Sequence, residues 1–229
     1  MMNSIRLAVG AAALAVSSAA LAFPVTISDI EGKFTNPVGG QNVQGVNSSN
    51  ISWGHAWKSG ERSGYSFDAA VTPLEVVDDA WFSLGTFTHT NNQIPAGTAI
   101  DKVDLEIGLF FQDFDTLATF RFDHDETLDN AEYSCGWFGW RTCKDGPVDD
   151  TAEIINIAIS SNEFVLNGWS YTLEVMGFDK LSTPEKGTNS ADLFARLTGV
   201  QLDVPEPGTL ALLGLGLMGL GAARRRKAA

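Results

Sequence analysis

The sequence predicts an all-β fold, an antiparallel two-layer β-sandwich of the jelly-roll-like type. Apolar and polar residues alternate with a period of two along most of residues 23–203, and no stretch there sustains a helical period of 3.6. The pair Asn167–Gly168, between two alternating runs, indicates a type I′ hairpin turn. Gly, Asn, Asp and Pro residues separate the runs at short intervals, as is typical of sandwiches.

The first four predicted strands span residues 25–34, 51–53, 65–69 and 81–88. The clearest strand is "KVDLEIGLFF", where alternation places one apolar set on the core face: Val103, Leu105, Ile107, Leu109 and Phe111. In the next predicted strand, Ala118, Phe120 and Phe122 face the core. In the strand after it, the core-facing residues are Ile155, Ile157 and Ile159. The hairpin "EFVLNGWSYTLEV" and a strand at residues 193–203 bring the total to nine or ten.

The N-terminal segment has the features of a secretory signal peptide. The basic residue Arg6 precedes an apolar stretch from Leu7 to Val16, and Ala20 and Ala22 complete an A-x-A cleavage pattern. We expect a signal peptidase to cut after Ala22. The prediction is therefore a signal peptide at residues 1–22, a single β-sandwich domain at 23–203, and a separate C-terminal segment at 204–229.

The C-terminal segment has three parts. Val204, Pro205, Glu206 and Pro207 come first, then an apolar run from Thr209 to Ala223, and then the basic residues Arg224, Arg225, Arg226 and Lys227. As a helix the apolar run would extend only ~22 Å, whereas the hydrocarbon core of a membrane is ~30 Å thick. The basic cluster is of the kind that stays on the cytoplasmic side. These features predict a short transmembrane helix that holds the chain briefly; an ordinary C-terminal anchor is the alternative.

The three parts together resemble the PEP-CTERM sorting signal of Gram-negative bacteria. The resemblance covers about 25 residues. It implies that an exosortase, a membrane transpeptidase, cuts the chain near Pro205–Glu206–Pro207. It also implies an exported precursor tethered to the inner membrane, followed by release to the cell surface or the extracellular space.

The charge of the chain excludes one large class of partners. The formal net charge is −13, and the two terminal segments contain five of the 15 basic residues but only one of the 28 acidic ones. The central domain is thus strongly acidic, and it repels nucleic acid and anionic lipid. We expect no binding to nucleic acid.

The two cysteines lie in the stretch "CGWFGWRTC". In an exported chain, Cys135 and Cys143 are expected to form one disulfide bond. Trp137 and Trp140 lie between them and are candidate ligand-binding residues, since a closed loop can present aromatic rings to a sugar or a protein. The alternative is that these rings cover the core.

A second motif lies in "LGTFTHTNNQI", where Thr88, His89 and Asn91 form T-H-x-N. The motif resembles that of the THxN family of PEP-CTERM proteins, for which the resemblance implies no biochemical activity. From the residues alone, His89 and Asn91 come at the end of a strand, where their side chains can satisfy backbone groups of a turn. A ligand-binding role is the alternative.

Acidic residues cluster in two loops and suggest a candidate Ca²⁺ site. Oxygen ligands are offered by Asp113, Asp115, Asp123, Asp125 and Asp129, with Glu126 beside them. An EF-hand is excluded because Leu128 takes the position of the required glycine. No H-x-H or H-x-x-x-H pair is present, so the sequence predicts no confident metal site and no other cofactor. A solvated acidic rim is the alternative.

Catalytic motifs are missing from the sequence. It contains no G-x-S-x-G elbow, no P-loop and no dinucleotide-binding glycine pattern. We therefore expect no catalytic residues and no enzymatic activity. The predicted function is that of a structural or adhesive protein at the cell surface or in a polysaccharide matrix. The alternatives are a lectin-like carbohydrate-binding module, assisted by Ca²⁺, and a secreted polysaccharide hydrolase.

Overall fold

The computed structural model describes residues 23–54, 61–127, 149–202 and 214–219, and the backbone of residues 132–135 and 141–144. Fourteen strands lie in this part of the chain: β1 (Val25–Gly39), β2 (Asn50–Trp53), β3 (Ser63–Ala69), β4 (Leu74–Val76), β5 (Phe82–Asn91), β6 (Ile100–Phe111), β7 (Asp115–Asp125), β8 (Glu132–Cys135), β9 (Arg141–Lys144), β10 (Asp150–Ile159), β11 (Glu163–Leu166), β12 (Trp169–Met176), β13 (Lys180–Thr183) and β14 (Gly187–Gln201). The prediction of an all-β fold is confirmed.

Two curled antiparallel sheets of six strands each form the domain. The spatial order is β13-β10-β7-β6-β1-β4 in the first sheet and β11-β12-β14-β5-β3-β2 in the second. Neighbours along the chain pair as hairpins at β2–β3, β6–β7 and β11–β12, while other connections cross from one sheet to the other. A separate two-stranded sheet, β8–β9, lies in the segment between β7 and β10. The two-sheet prediction is thus confirmed, and its jelly-roll-like detail stays a prediction.

Aromatic side chains from both sheets meet in the core. Phe87 of the second sheet stacks on Phe122 of the first, with ring centroids 4.6 Å apart and planes inclined by 13°. Phe34 packs against Phe87 at 6.3 Å, and Tyr65 packs against Phe87 at 4.8 Å. Contacts of this kind are stabilising beyond the apolar area that they bury. They join the two sheets into one core.

Alternation correctly identifies the core faces of β6 and β7. Val103, Leu105, Ile107 and Leu109 are fully buried and Phe111 is nearly so. Ala118, Phe120 and Phe122 are also fully buried. Both strands lie in the middle of the first sheet, and their apolar face packs against the second sheet. The alternation of the sequence therefore survives in the fold, although Asp104 on the other face of β6 is also buried.

The prediction for β10 is wrong in its core-facing set. Ile155 and Ile157 are exposed by 43% and 37%, and only Ile159 packs against the core. A bulge shifts the register between Ile154 and Asn156, so Ile155 is the extra residue and leaves the ladder. Ile157 lines an open groove beside the end of β12, so the second sheet does not cover it.

The hairpin prediction is confirmed in detail. Leu166 pairs with Trp169, which leaves Asn167 and Gly168 as the two turn residues, with φ angles of 51° and 80°. Both angles are positive, as a type I′ turn requires. The turn also contacts the C-terminal end of the domain, since the Leu202 amide donates a hydrogen bond to the Gly168 carbonyl at 3.0 Å.

Four short strands, β4, β8, β9 and β13, were not predicted from the sequence. Each has three or four residues, too few for a pattern of alternation to be recognised. The boundaries of long strands also differ, because β1 continues to Gly39 and β14 begins at Gly187. These extensions lack the apolar alternation of a strand, and they form through the pairing of β1 with β6 and of β14 with β5.

Several predictions concern the ends of the domain and the cysteine loop. The tail has a helix at residues 214–219, and no helix in the described ranges is long and apolar enough to cross a membrane. The transmembrane helix is therefore not shown, and the rest of the tail and the signal peptide lie outside the described residues. No disulfide bond is seen in the described part of the chain either, so the Cys135–Cys143 pairing stays a prediction.

Candidate functional site

A cluster of buried polar side chains lies between the two sheets. It consists of Tyr65 on β3, His89 on β5, His124 and Glu126 at the end of β7, and Asp150 at the start of β10. Tyr65, His89, His124 and Asp150 are all less than a tenth exposed, and Glu126 has 14% of its side chain exposed. We call these five residues the buried polar cluster.

His124 is the central residue of the cluster. Alternation along β7 turns its side chain inward, next to Phe120 and Phe122. Its Nδ1 atom is 2.7 Å from the Tyr65 hydroxyl, and its Nε2 atom is 3.3 Å from Glu126 Oε2. The Trp53 ring packs edge-on against the imidazole at 5.1 Å. The ring is thus held in one orientation by a hydrogen bond on each side and an aromatic neighbour.

Asp150 comes to the cluster from the first residue of β10. It is fully buried, and its Oδ1 atom accepts hydrogen bonds from the Thr127 amide and the Thr127 hydroxyl, each at 2.8 Å. These two bonds fix the carboxylate beside the end of β7. One potential ligand atom from each of His124, Glu126 and Asp150 lies within 4.8 Å of the others. One imidazole and two carboxylates so placed are a ligand set that a divalent transition metal accepts.

His89 belongs to the same cluster but comes from the opposite sheet. The inward face of β5 contains Phe87, His89 and Asn91, and all three are fully buried. The His89 ring packs edge-on against Tyr65 at 5.0 Å and against His124 at 5.3 Å. Neither of its ring nitrogens has a hydrogen-bond partner in the described part of the chain. A buried polar atom without a partner is costly, by ~1–3 kcal/mol, so this arrangement is unusual.

The other two residues of the T-H-x-N motif lie in different surroundings. Asn91 Nδ2 donates a hydrogen bond to the Thr183 carbonyl in the first sheet at 3.0 Å, which ties the two sheets together. Thr88 faces outward and pairs with Ser190, with 2.9 Å between the hydroxyl oxygens. Asn91 therefore has the backbone-satisfying contact expected of it, although to a distant strand and not to the neighbouring turn. His89 makes no contact of that kind.

Burial dominates the electrostatics of the cluster. Desolvation lowers the pKa of His89 to about 3, with a smaller contribution from His124. Desolvation also lowers the pKa of His124 to about 4, and nearby Asp123 opposes this shift. The pKa of Tyr65 is raised by burial and then by the charges of Asp150, Glu126 and Asp123. At neutral pH the two imidazoles and the phenol are therefore uncharged.

The structure does not bring the predicted Ca²⁺ ligands together. Asp113 and Asp115 lie at the start of β7, and Asp123 and Asp125 lie at its end, roughly 27 Å away at the usual rise of a strand. Asp123 instead forms an ion pair with Lys102 at 3.0 Å, while Asp125 is exposed. The two acidic loops cannot share an ion. Asp129 lies outside the described residues.

Other predicted site residues lie outside the residues that the structure describes. They are the cleavage residues Ala20 and Ala22, the loop residues Trp137 and Trp140, and the sorting residues Val204, Pro205, Glu206, Pro207, Arg224, Arg225 and Arg226. Their proposed roles stay predictions from the sequence.

A second feature of interest is an open groove of about 580 Å³ along β1 and β3. Phe110 contributes partly exposed aromatic surface to its lining, whereas Phe67 lies almost fully buried beneath it. Glu31, Lys33 and Glu106 add charge, and Lys33 and Glu106 form an ion pair at 3.2 Å. Aromatic surface beside carboxylates and amides is a combination that suits a small polar ligand.

Sequence analysis missed most of the buried polar cluster. No sequence motif indicates Asp150, and His124 has no second histidine at a metal-binding spacing. One signal was present, since His89 and His124 each take a core position in an alternating strand. A polar residue in phase with the core predicts a buried group, but not which other groups it meets.

The C-terminal segment of the chain matches a known protein-family model. The model described as the PEP-CTERM protein-sorting motif matches residues 203–227. No curated protein matches the chain significantly. The family match does not include Thr88, His89 or Asn91, so the THxN resemblance is not confirmed. The chain carries the three-part C-terminal signal predicted from its sequence, and it is therefore a protein with a PEP-CTERM sorting motif.

Proposed function

We propose that this chain is an exported, non-enzymatic β-sandwich protein that an exosortase delivers to the cell surface or extracellular matrix. There it serves as a structural or adhesive component. The observation that carries this proposal is the sorting motif at residues 203–227. The motif implies exosortase as a processing partner and a membrane-anchored precursor in a Gram-negative cell.

The position of the motif relative to the fold supports the proposal. β14 ends at Gln201, and Leu202 is still bonded to the Gly168 turn. Pro205 follows only a few residues later, so a fully extended chain places it no more than ~13 Å beyond the last strand. Cleavage there would leave the folded domain intact with a short stub. The sandwich is therefore the cargo, and the tail is its delivery signal.

Intact-mass measurement of the protein recovered from its native host tests this proposal. We expect a mature N-terminus at Phe23 and loss of the chain beyond the Pro205–Glu206–Pro207 region. In a strain without exosortase, the precursor should stay in the membrane fraction with Arg224–Arg226 present. A mature protein that still ends at Ala229 would contradict the proposal.

Carbohydrate binding is a second candidate function, and the groove along β1 and β3 favours it. A lectin-like module needs aromatic surface and polar groups in an open depression, and Phe110 and Glu31 provide them. Trp137 and Trp140 would be additional sugar-stacking residues. A polysaccharide hydrolase would use the same surface, but the presence of carboxylates alone is no sign of catalysis in so acidic a chain.

A glycan array and calorimetry, each with and without CaCl₂, distinguish these candidates. A lectin should bind a defined glycan, and Phe110→Ala or Trp137→Ala should weaken binding while the folded state is retained. Release of reducing sugar from a bound polysaccharide would instead indicate a hydrolase. No binding in either assay would leave the structural role as the surviving proposal.

A further inference from the structure

We propose that the buried polar cluster is a binding site for one divalent transition-metal ion of the zinc type. Its ligands are His124 Nε2 and the carboxylates of Glu126 and Asp150, and His89 lines the site from the opposite sheet.

The first argument is the geometry of the three ligands. Their candidate ligand atoms already lie within 4.8 Å of one another. A tetrahedral zinc ion with bonds of about 2.0–2.1 Å needs ligand atoms roughly 3.3 Å apart. Closing the site thus requires shifts on the order of 1 Å. His124 Nε2 and Glu126 Oε2 are already 3.3 Å apart, so the shift that remains is the approach of the Asp150 carboxylate to this pair.

The second argument is the support behind the ligands. The Tyr65 hydroxyl holds His124 Nδ1 at 2.7 Å, which leaves Nε2 directed at Glu126. Two hydrogen bonds from Thr127 hold Asp150. Hydrogen bonds to the far side of the ligating groups are the usual way in which proteins orient a metal site. The cluster already has this outer layer of contacts for two of its three ligands.

The third argument is independent of the ligands and concerns His89. This residue is fully buried, and both of its ring nitrogens lack a hydrogen-bond partner in the described part of the chain. Its ring packs edge-on against the His124 ring at 5.3 Å. An ion beside His124, or a water bound to that ion, would give His89 the partner that the protein does not supply.

The chemistry of the ligands selects the ion. A nitrogen ligand with two carboxylates suits Zn²⁺, whereas Ca²⁺ and Mg²⁺ prefer a set made only of oxygens. Glu126 and Asp150 also bracket the segment that contains β8 and β9. Metal binding would therefore join the two ends of that segment and stabilise its attachment to the sandwich.

The test uses untagged protein purified from its host without chelators. Metal analysis is expected to find about one Zn²⁺ per chain, and titration of EDTA-treated, dialysed protein with ZnCl₂ should show one site. CaCl₂ should give no comparable binding. Zn²⁺ should also raise the melting temperature, because an ion that binds only the folded state stabilises it.

Two substitutions form the matched comparison. Glu126→Gln removes a direct ligand that is partly exposed. It should weaken Zn²⁺ binding by at least about tenfold, because loss of even an outer-shell partner of a ligand costs about 10–100-fold. Asp125→Asn removes the neighbouring exposed carboxylate and should change nothing. His89→Leu should weaken binding by a smaller factor. Circular dichroism of each variant checks that it remains folded.

Three results of these measurements would count against the proposed zinc site. Absence of Zn²⁺ binding by the natural chain would overturn the proposal, and so would equal weakening by Glu126→Gln and Asp125→Asn. Unchanged binding by His89→Leu would remove His89 from the site. These results are independent of the sorting proposal, since export and tail cleavage do not involve the cluster.

Discussion

The residues with the most unusual surroundings are the two buried histidines. His89 and His124 take positions where alternation along β5 and β7 calls for an apolar side chain. They face Tyr65, Glu126, Asp150 and the nearby charge of Asp123. Because burial penalises the charged imidazole, both rings are neutral in the folded domain at neutral pH.

Mild acid should therefore destabilise the domain. The pKa values of about 3 for His89 and about 4 for His124 lie below the ordinary value of 6.5. Between these limits the unfolded chain binds protons that the folded chain does not, so the free energy of unfolding falls as pH falls. At pH 5 the loss is about 2 kcal/mol for each histidine.

Urea denaturation in the presence of EDTA, at several pH values between 7.5 and 5, measures this effect. His89→Leu should reduce the slope of stability against pH by up to about 1.4 kcal/mol per pH unit. An unfolding free energy that stays constant down to pH 5 in the natural chain would contradict the assignment of two neutral, buried imidazoles.

Phe87 is a core residue whose replacement should directly lower the free energy of unfolding. It stacks on Phe122, and it also contacts Phe34, Tyr65 and Phe178. Phe87→Ala is expected to lower the free energy of unfolding by about 3–5 kcal/mol, because a cavity remains between the sheets. Val165→Ala, at a site with 63% exposure, is the control and should change stability by less than about 0.5 kcal/mol.

At the scale of the element, the hairpin β11–β12 shows how far local sequence can determine structure. Asn167 and Gly168 adopt the positive φ angles that these two residue types favour in a type I′ turn. The strand β10 shows the opposite case. The alternation of its isoleucines predicts that Ile155 and Ile157 face the core. A bulge between Ile154 and Asn156 shifts the pairing with β7 by one residue, and the prediction fails. The bulge depends on the pairing of β10 with β7, and no local pattern reveals it.

The turn gives a direct test at this scale. Gly168 has open space where a Cβ would lie, so only its φ angle of +80° opposes substitution. Gly168→Ala should therefore lower the free energy of unfolding by about 1–2 kcal/mol. Thermal denaturation beside Val165→Ala, on the same hairpin, measures this difference. A neutral Gly168→Ala variant would show that the turn can relax to another type.

At the scale of the whole molecule, the sorting motif follows the sandwich almost without a linker. The match begins at residue 203, whereas β14 ends at Gln201. A processing enzyme must therefore work close to the folded domain. Lengthening this connection therefore tests the expectation that the enzyme reads the tail alone.

Insertion of a flexible Gly-Ser segment between Leu202 and Asp203 is expected to leave tail cleavage at least as fast as in the natural chain. The physical reason is that the motif is a contiguous segment, and greater distance from the sandwich only relieves crowding. Pulse-chase measurement of precursor and mature protein gives the rate. Slower cleavage after insertion would show that the enzyme also contacts the folded domain.

The sequence by itself determined the properties that depend on neighbours along the chain. The alternation in β6 and β7, the Asn167–Gly168 turn and the sorting motif can all be recognised from short stretches, because each depends on local geometry or on a contiguous signal. Only the tertiary structure decided which polar groups meet in the core. Tyr65 and His124 are 59 positions apart, and they come together because β3 and β7 lie in different sheets that face each other. Such a contact depends on sheet order and register, which long-range pairing sets and local periodicity does not contain.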